Sequence, residues 1–516
     1  MGKFKESRSH ISVFGALLRA RRNFGGKRVA IVDADDRELT YTDMIRASFA
    51  LGSAFKSMTA PREKVGILLP TGAGSILAFF ALQAAGRVPA MLNFTAGSRN
   101  ILAACKAAQV TKVITAHRFI KIGQLEPLIE QLSPHVEFIY LEDVRDNMTK
   151  KNKIVAVLGS LMPVLFMARP SYKKVAVVLF TSGTEGDPKG VALSHKNLVS
   201  NVEQIRAHID EIYPETDVMF NPLPTFHCFG LTGGALLPLF AGVKVALYPS
   251  PLHVKMIPER IKAMGTTIMF ATDTFLSRYA RASKGDELAG LRFCVCGAEQ
   301  VRDETRKYVR KKFDMQILEG YGVTETSPVL AVNKPSANRS GTVGHIMPGM
   351  EHRIEPVPGI ERGGLLFVRG PNVMMGYITT DNPGVVQPLE DGWHNTGDVV
   401  EIDEDGYIAI RGRVKRFANI GGETVSLAVV ENCADAVWPD NQHVALIRPD
   451  PKKGEQIVLI SDCKDANRTD IRTWAQSHGV SELSIPRKVF VVDEIPLLGT
   501  GKVDYTESGK LLDTLE

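Results

Sequence analysis

The sequence contains no run of eighteen apolar residues, so no membrane-spanning helix is expected. Its first residues, MGKFKESRSH, carry positive charge but neither an apolar segment nor a small-residue cleavage site, so no secretory signal is expected. Glu6 stands where a myristoylation signal needs Ser or Thr. The six cysteines form no Cys-x-x-Cys pair. Cys294 and Cys296, in "LRFCVC", have the spacing that puts two side chains on one face of a strand, and they read as small core residues rather than metal ligands. This usage fits a reducing compartment, the cytoplasm. There is no internal repeat, heptad array or low-complexity tract. The basic stretches are short and not interleaved with aromatics, so nucleic acid is not an expected partner.

What is present is an ordinary globular composition, 44% hydrophobic and 23% charged over 516 residues, long enough for two or three domains. The net charge of +5 is unevenly placed. Residues 1–28 hold eight Lys or Arg and one acid, and residues 147–184 hold six and no acid. The second stretch encloses "IVAVLGSLMPVLFMA" (154–168). That run reads either as a buried helix or strand pair with solvated ends, or as a segment lying in a membrane interface. Residues 1–28 and 150–174 would then make a peripheral membrane contact on the inner face of the cell membrane.

Strand-like runs alternate with helix-length segments: "EKVGILLP", "VPAMLNF", "TKVITAH", "VEFIYLED", "KVAVVLF", "VKVALYP", "TTIMFAT" and "LRFCVCG". This alternation predicts doubly wound α/β layers in a large N-terminal domain. From about residue 342 short strands and tight turns predict a β-rich subdomain reaching to 412. A smaller α/β segment, 413–516, closes the chain; its 13 basic and 16 acidic residues leave it net −3.

The densest chemistry lies in "VVLFTSGTEGDPKGVALSHKNL" (177–198). Val177 to Phe180 predicts a buried strand. Thr181, Ser182, Gly183, Thr184, Glu185 and Gly186 follow, small residues whose backbone N–H groups can turn towards an anion, and Lys189 adds a mobile cation. Ser194 is a helix N-cap ahead of Leu198 and Val199. A Walker A loop needs Gly before its Lys and Ser or Thr after it; here those positions are Pro188 and Gly190. The loop is therefore a flexible turn or a phosphate site of another kind.

Further glycine-polar segments follow. Gly297, Ala298 and Glu299 close a strand where a flat ligand can approach the backbone. "EGYGVTE" offers Tyr321 and Gly322 for stacking, then Thr324 and Glu325, whose carboxylate can reach a phosphate-bound Mg²⁺. Asp398, in "WHNTGDVV", suits ribose hydroxyls. Arg413 precedes a Gly-Gly turn, and Lys502 sits in "LLGTGKVDY" on a glycine-flanked tip.

Taken in order, TSGTEGDPKG, YGVTE, TGD, GRVK and GTGK resemble the phosphate, central, ribose, hinge and terminal-lysine motifs of the acyl-adenylate-forming superfamily. That group includes acyl-CoA synthetases, luciferases and peptide-synthetase adenylation domains. Within it, "GRVKRFANIGGETVSL" and "IPLLGTGKVDY" are most similar to the acyl-acyl-carrier-protein synthetase part of bacterial 2-acylglycerophosphoethanolamine acyltransferase. That bifunctional protein also carries a His-x4-Asp acyltransferase motif. None of the twelve His residues here has an Asp five positions on, so this chain is not expected to acylate lysophospholipid unaided.

The resemblance implies an ATP- and Mg²⁺-dependent ligase. A fatty acid attacks the α-phosphate of ATP, and the acyl-adenylate then passes its acyl group to the thiol of acyl carrier protein, or in the alternative of coenzyme A. A non-catalytic nucleotide-binding scaffold is the remaining alternative. In the implied assignment Thr181 to Lys189 hold the β- and γ-phosphates, and Thr184 and Glu325 contact Mg²⁺. Gly297 to Glu299 with Tyr321 and Gly322 flank adenine, Asp398 and Arg413 bind ribose, and Lys502 bridges the carboxylate and the α-phosphate. Lys415 is the implied pivot of a mobile C-terminal domain, and the 418–423 loop borders the thiol's tunnel. His227, in the apolar "LPTFHCFGLTGG", either gates the acyl pocket or is a packed loop residue. Two departures stand out: Glu185 replaces the Thr or Ser of many relatives, and "VSLAVVE" replaces a Pro-x-Glu form tied to coenzyme A recognition.

Overall fold

The computed structural model describes residues 3–181, 187–360, 362–420, 423–451, 454–498 and 502–515. It forms two compact units. The first comprises Met1–Asn338, Ile346–Met350 and Arg369–Gly392; the second comprises Arg339–His345, Glu351–Val368 and Trp393–Glu516.

In the first unit each of the eight strand-like runs forms a strand, and they divide between two sheets. One is parallel across Gln316–Gly322, Phe293–Gly297, Ile268–Ala271, Val218–Asn221, Lys244–Leu247 and Val29–Val32, with antiparallel strands Val329–Val332 and Glu38–Thr40 beyond its two ends. The other is parallel across Val175–Thr181, Val88–Met91, Lys64–Ile67, Lys112–Thr115 and Glu137–Tyr140. Parallel strands buried on both faces need continuous apolar runs, which is why these segments stand out in the sequence. The helix Ala73–Ala85 is buried almost all round and belongs to the same apolar core as both sheets. Cys294 and Cys296 are buried side by side in this core, Sγ to Sγ 3.8 Å. The α/β class is therefore as expected.

The β-rich segment is divided between the units. Its strand Gly376–Ile378 pairs antiparallel with Lys189–Ser194, which itself pairs with Val175–Thr181, so residues 369–392 go with the first unit. The strands Gly364–Arg369, His394–Ile402 and Ile408–Arg413 pair in a sheet of their own. The compact units thus divide elsewhere than at 412/413.

The C-terminal part builds a sheet from Glu423–Ser426, Phe417–Ile420, Gly454–Ser461, His443–Asp450 and Lys488–Val491. Alternate residues serve two faces. Ala445, Ile457 and Leu459 pack with the helix Leu427–Val437 and with Ile471, whereas Val444, Val458 and Ile460 pack with Ile495 and Leu512.

Candidate active site

Candidate residues lie in both units. In the first, the strands Val175–Thr181 and Lys189–Ser194 form a hairpin whose last pair is Thr181 with Lys189. Ser182, Gly183, Thr184, Glu185 and Gly186, at its tip, lie outside the described residues. The hairpin is anchored by the helix that leaves it: Ser194 Oγ accepts from Asn197 N–H at 3.1 Å in a capping box, fulfilling the N-cap expectation.

Three side chains converge at the loop end of this hairpin. Tyr377 sits opposite Val191 in the adjoining strand, and Lys189 Nζ lies 5.3 Å from its ring centroid. The Tyr377 hydroxyl donates to Glu325 Oε1 at 2.6 Å. Burial and the Glu325 charge raise the phenol's pKa well above its usual value, so it stays a donor. Glu325 belongs to the short turn Thr324–Thr326, and its carbonyl accepts from Met374 N–H at 2.7 Å. Asn372, fully buried, donates to the carbonyl of Thr326 at 2.7 Å. The segment 372–377 therefore fixes the turn that presents Glu325. Tyr377 has no counterpart in the sequence expectations, because nothing within "MMGYITT" links it to a residue 52 positions away.

Tyr321 and Gly322 end the strand that leads into this turn. A Cβ on Gly322 would lie 2.0 Å from the carbonyl oxygen of Pro328, so only glycine fits there. Gly297 ends the neighbouring strand, in register with Gly320. Ala298 takes a left-handed conformation, φ +74°. Glu299 turns back to accept from Thr274 N–H at 3.0 Å, at the start of the helix Asp273–Ala282. Its carboxylate thus ties the loop to a helix N-terminus, leaving the backbone of 297–298 to approach a ligand.

On the expected acyl side, residues 226–241 carry no Asp, Glu, Lys or Arg. They form a buried π-helical segment, Phe229–Leu236, that runs into the helix Leu237–Ala241. Close approach demands its glycines: a Cβ on Gly230 would lie 2.2 Å from Pro224 O, and one on Gly234 2.3 Å from Asn221. The Phe229 and Phe270 rings stack edge to face at 5.4 Å, with Phe229 beside Gly297. His227, half-buried, precedes this segment; its Nδ1 accepts from Phe229 N–H at 3.4 Å.

In the second unit Asp398 and Arg413 face each other across antiparallel strands, and Arg413 Nε donates to Asp398 Oδ1 at 2.7 Å. The Asp398 side chain is only 4% exposed, whereas that of Arg413 is 56% exposed. Just beyond, Lys415 sits in the turn Val414–Arg416. Arg416 is held by Glu431 at 2.7 Å and stacks on Tyr505, 4.0 Å from its ring centroid, tying this turn to the helix Leu427–Val437 and to the last helix, Tyr505–Leu515. The Lys502 carbonyl accepts from Leu498 N–H at 2.7 Å.

The profile of the AMP-binding enzymes matches residues 18–378, some two-thirds of the chain, including every candidate residue described in the first unit. The chain belongs to that family. Among curated relatives, long-chain-fatty-acid–CoA ligase of Salmonella typhimurium is 26% identical over 481 residues, covering 86% of this chain and 84% of that one. The 4-coumarate–CoA ligase 1 of Arabidopsis thaliana is 25% identical over 522 residues, covering 96% and 91%. Among solved structures, an anthranilate–CoA ligase in complex with anthranoyl-AMP superposes with a TM-score of 0.81 at 21% identity, covering 99% of this chain and 98% of that one. The o-succinylbenzoate–CoA synthetase of Bacillus subtilis, bound to its acyl-adenylate intermediate, gives 0.81 at 20% identity, covering 95% and 96%. These two establish the adenylate-forming ligase fold. Both of these curated relatives are coenzyme A ligases by name; neither is a carrier-protein ligase.

Proposed function

We propose that this AMP-binding enzyme activates a long-chain fatty acid with ATP and passes the acyl group to coenzyme A, releasing AMP and pyrophosphate. The observation that carries the reading is the Lys189–Tyr377–Glu325 cluster at the loop end of the hairpin, together with a buried apolar segment, 229–236, that has no acid to pair an amino substrate.

Charge crowding between two anions is the barrier to the first half-reaction, so positioned cations and donors do most of the work. Lys189 is the cation for the β- and γ-phosphates, with Thr181 and the loop 182–186 around them. Glu325, an oxygen donor held by Tyr377, fits a hard divalent ion, and Thr184 is the second expected contact. Bound there with ATP, Mg²⁺ would neutralise phosphate charge. Tyr321, Gly322 and the 297–299 turn flank adenine, with Thr324 a further nucleotide contact; Asp398, oriented by Arg413, takes the ribose hydroxyls. Lys502 bridges the carboxylate and the α-phosphate, then leaves as residues 413–516 turn about Lys415 for thiolysis. His227 borders the acyl chain.

Acyl carrier protein is the second reading, favoured by one observation: the hinge segment "GRVKRFANIGGETVSL" lacks the Pro-x-Glu form. Purified protein with ATP, Mg²⁺ and a C16 fatty acid, given coenzyme A or holo acyl carrier protein in parallel, separates the two. Acyl-CoA formation is the expected result. Acylation of the carrier protein alone would transfer the proposal to it. AMP from neither would leave the scaffold reading.

A further inference from the structure

Between Asp146 and Glu185 the chain carries six cations and no acid, and it folds there into the helices Lys150–Leu161 and Pro163–Phe166. The first of these is turned inside out. Its fully buried residues are small or polar, Asn152, Ala156, Gly159 and Ser160, and of its aliphatic side chains the half-buried Val155 packs against the core beside them. Gly159 lies so close to the Phe49 ring that a Cβ there would come within 2.7 Å. Asn152 donates to Ser53 Oγ at 3.0 Å, and the carbonyl of Ser160 accepts from Arg21 at 2.6 Å. Its outward face is aliphatic: Ile154, Val157, Leu158 and Leu161, continued by Met162, Val164 and Leu165. Leu161 is 68% exposed and Leu165 71%. A globular surface helix orients its faces the other way.

The charges point in the same direction. Lys150, Lys151 and Lys153 occupy the first turn, with no acid there, where cations oppose the helix dipole and weaken the helix. They are exposed, as are Arg169, Lys173 and Lys174 beyond the other end. Arg169 also folds back to donate to the carbonyl of Val164 at 3.1 Å. Cations that cost the fold stability at one end, and an aliphatic stripe between two basic ends, are complementary to a surface that is anionic outside and apolar just beneath. A helix of 12 residues is about 18 Å long, well short of a hydrocarbon core of about 30 Å, so it can lie on such a surface but not cross it.

We infer that the helices Lys150–Leu161 and Pro163–Phe166 dock this protein on phospholipid bilayers with anionic headgroups, the aliphatic stripe entering the interface and the flanking cations meeting phosphate. Of the two basic segments considered from sequence, this one has the exposed apolar face. Docking needs no turnover, so it stands or falls apart from the ligase reading.

The full chain is sedimented with vesicles of phosphatidylcholine alone and of phosphatidylcholine mixed with phosphatidylglycerol. Expected is co-sedimentation with the mixed vesicles, weakened by salt. The Lys150→Glu/Lys151→Glu/Lys153→Glu variant lowers partitioning at least roughly 100-fold. Leu161→Asp/Leu165→Asp lowers it at least roughly 10-fold. Ile122→Asp, at a similarly exposed position elsewhere, binds like the parent. Because all six native cysteines are buried, Leu161→Cys takes a polarity-sensitive fluorophore selectively, and its emission should shift to the blue on adding mixed vesicles. That readout holds even if a charged variant folds poorly. No sedimentation of the parent with either vesicle, no fluorophore shift, or equal binding by well-folded variants overturns the proposal. A parent that ignores vesicles but dimerises, with the dimer lost in Leu161→Asp/Leu165→Asp, also overturns it and assigns the face to a second copy of the chain.

Discussion

Tyr377 donates its hydroxyl to Glu325 across 52 residues of sequence, at 2.6 Å. The bond links the strand Gly376–Ile378, which flanks the strand Lys189–Ser194, to the turn that carries the proposed metal-binding carboxylate. A hydrogen bond to a charged acceptor contributes about 1.5–3 kcal/mol, and the half-buried setting here favours the lower end. Tyr377→Phe should therefore lower the rate of acyl-adenylate formation roughly 10-fold. It should also raise the Mg²⁺ concentration needed for half-maximal rate, since a freed Glu325 samples other rotamers. Pyrophosphate release followed across a Mg²⁺ titration checks this; an unchanged Mg²⁺ requirement would detach Glu325 from the metal. Because Tyr377 titrates far above its ordinary range, no alkaline limb from it should enter the pH–rate profile.

Gly322→Ala tests the same turn from its other end. The added methyl would meet the carbonyl oxygen and carbon of Pro328 at 2.0 and 2.7 Å, backbone atoms that cannot swing aside. The turn Thr324–Thr326 must move, and a displacement of about 1 Å at a reacting centre can cost about 100-fold in rate. Adenylation should fall by that order, while overpacking lowers stability by only about 1–3 kcal/mol. Thermal melting beside single-turnover adenylation separates the two effects. Full activity in Gly322→Ala would show that the turn is not part of the site.

How far the sequence discloses this arrangement depends on how local each determinant is. The parallel strands are legible because burial on both faces requires continuous Val, Ile and Leu, as in Val177 to Leu179. The N-cap Ser194 is legible because its partner, Asn197, is three residues away. Tyr377 is not, since only long-range pairing of its strand with Lys189–Ser194 brings it to Glu325. The same pairing takes residues 369–392 out of the β-rich segment, which composition alone treats as continuous. The run 154–168 shows its apolar content in one dimension. Which side of the helix faces out depends on Phe49 and Ser53, about a hundred residues earlier.

The His195 imidazole reports on burial of the first unit. It is buried, its Nδ1 accepts from Val13 N–H at 3.2 Å, and desolvation lowers its pKa from 6.5 to about 4. With the folded pKa below the unfolded one, the unfolded chain takes up the proton first as pH falls. The contribution is therefore complete above the unfolded value and is lost between about pH 6.5 and 4. Some 2 kcal/mol should be gone by about pH 5. Urea unfolding of the parent at pH 7 and 5, set against His195→Gln, checks this: the variant should lose less between the two pH values. Equal losses would mean that carboxylates alone set the acid sensitivity.

In the second unit Leu498 N–H donates to the Lys502 carbonyl at 2.7 Å, and Leu497 bridges to Val503. The proposed work of Lys502 belongs to one half-reaction only, balancing charge as the carboxylate meets the α-phosphate. Losing such a contact costs about 3–4 kcal/mol, so Lys502→Ala should slow acyl-adenylate formation roughly 100- to 1,000-fold. Thiolysis of acyl-adenylate supplied ready-made should change by no more than about 3-fold, because the lysine makes no contact that is stronger in that transition state. Lys502→Arg, whose planar fork replaces a point charge, should recover only part of the loss. Rapid-quench measurement of each half-reaction decides the matter. A selective loss of adenylation fits a lysine that enters for the first step and withdraws for the second. An equal loss in both steps would instead make Lys502 a general determinant of the second unit's fold, which an earlier melting transition of the variant would show directly.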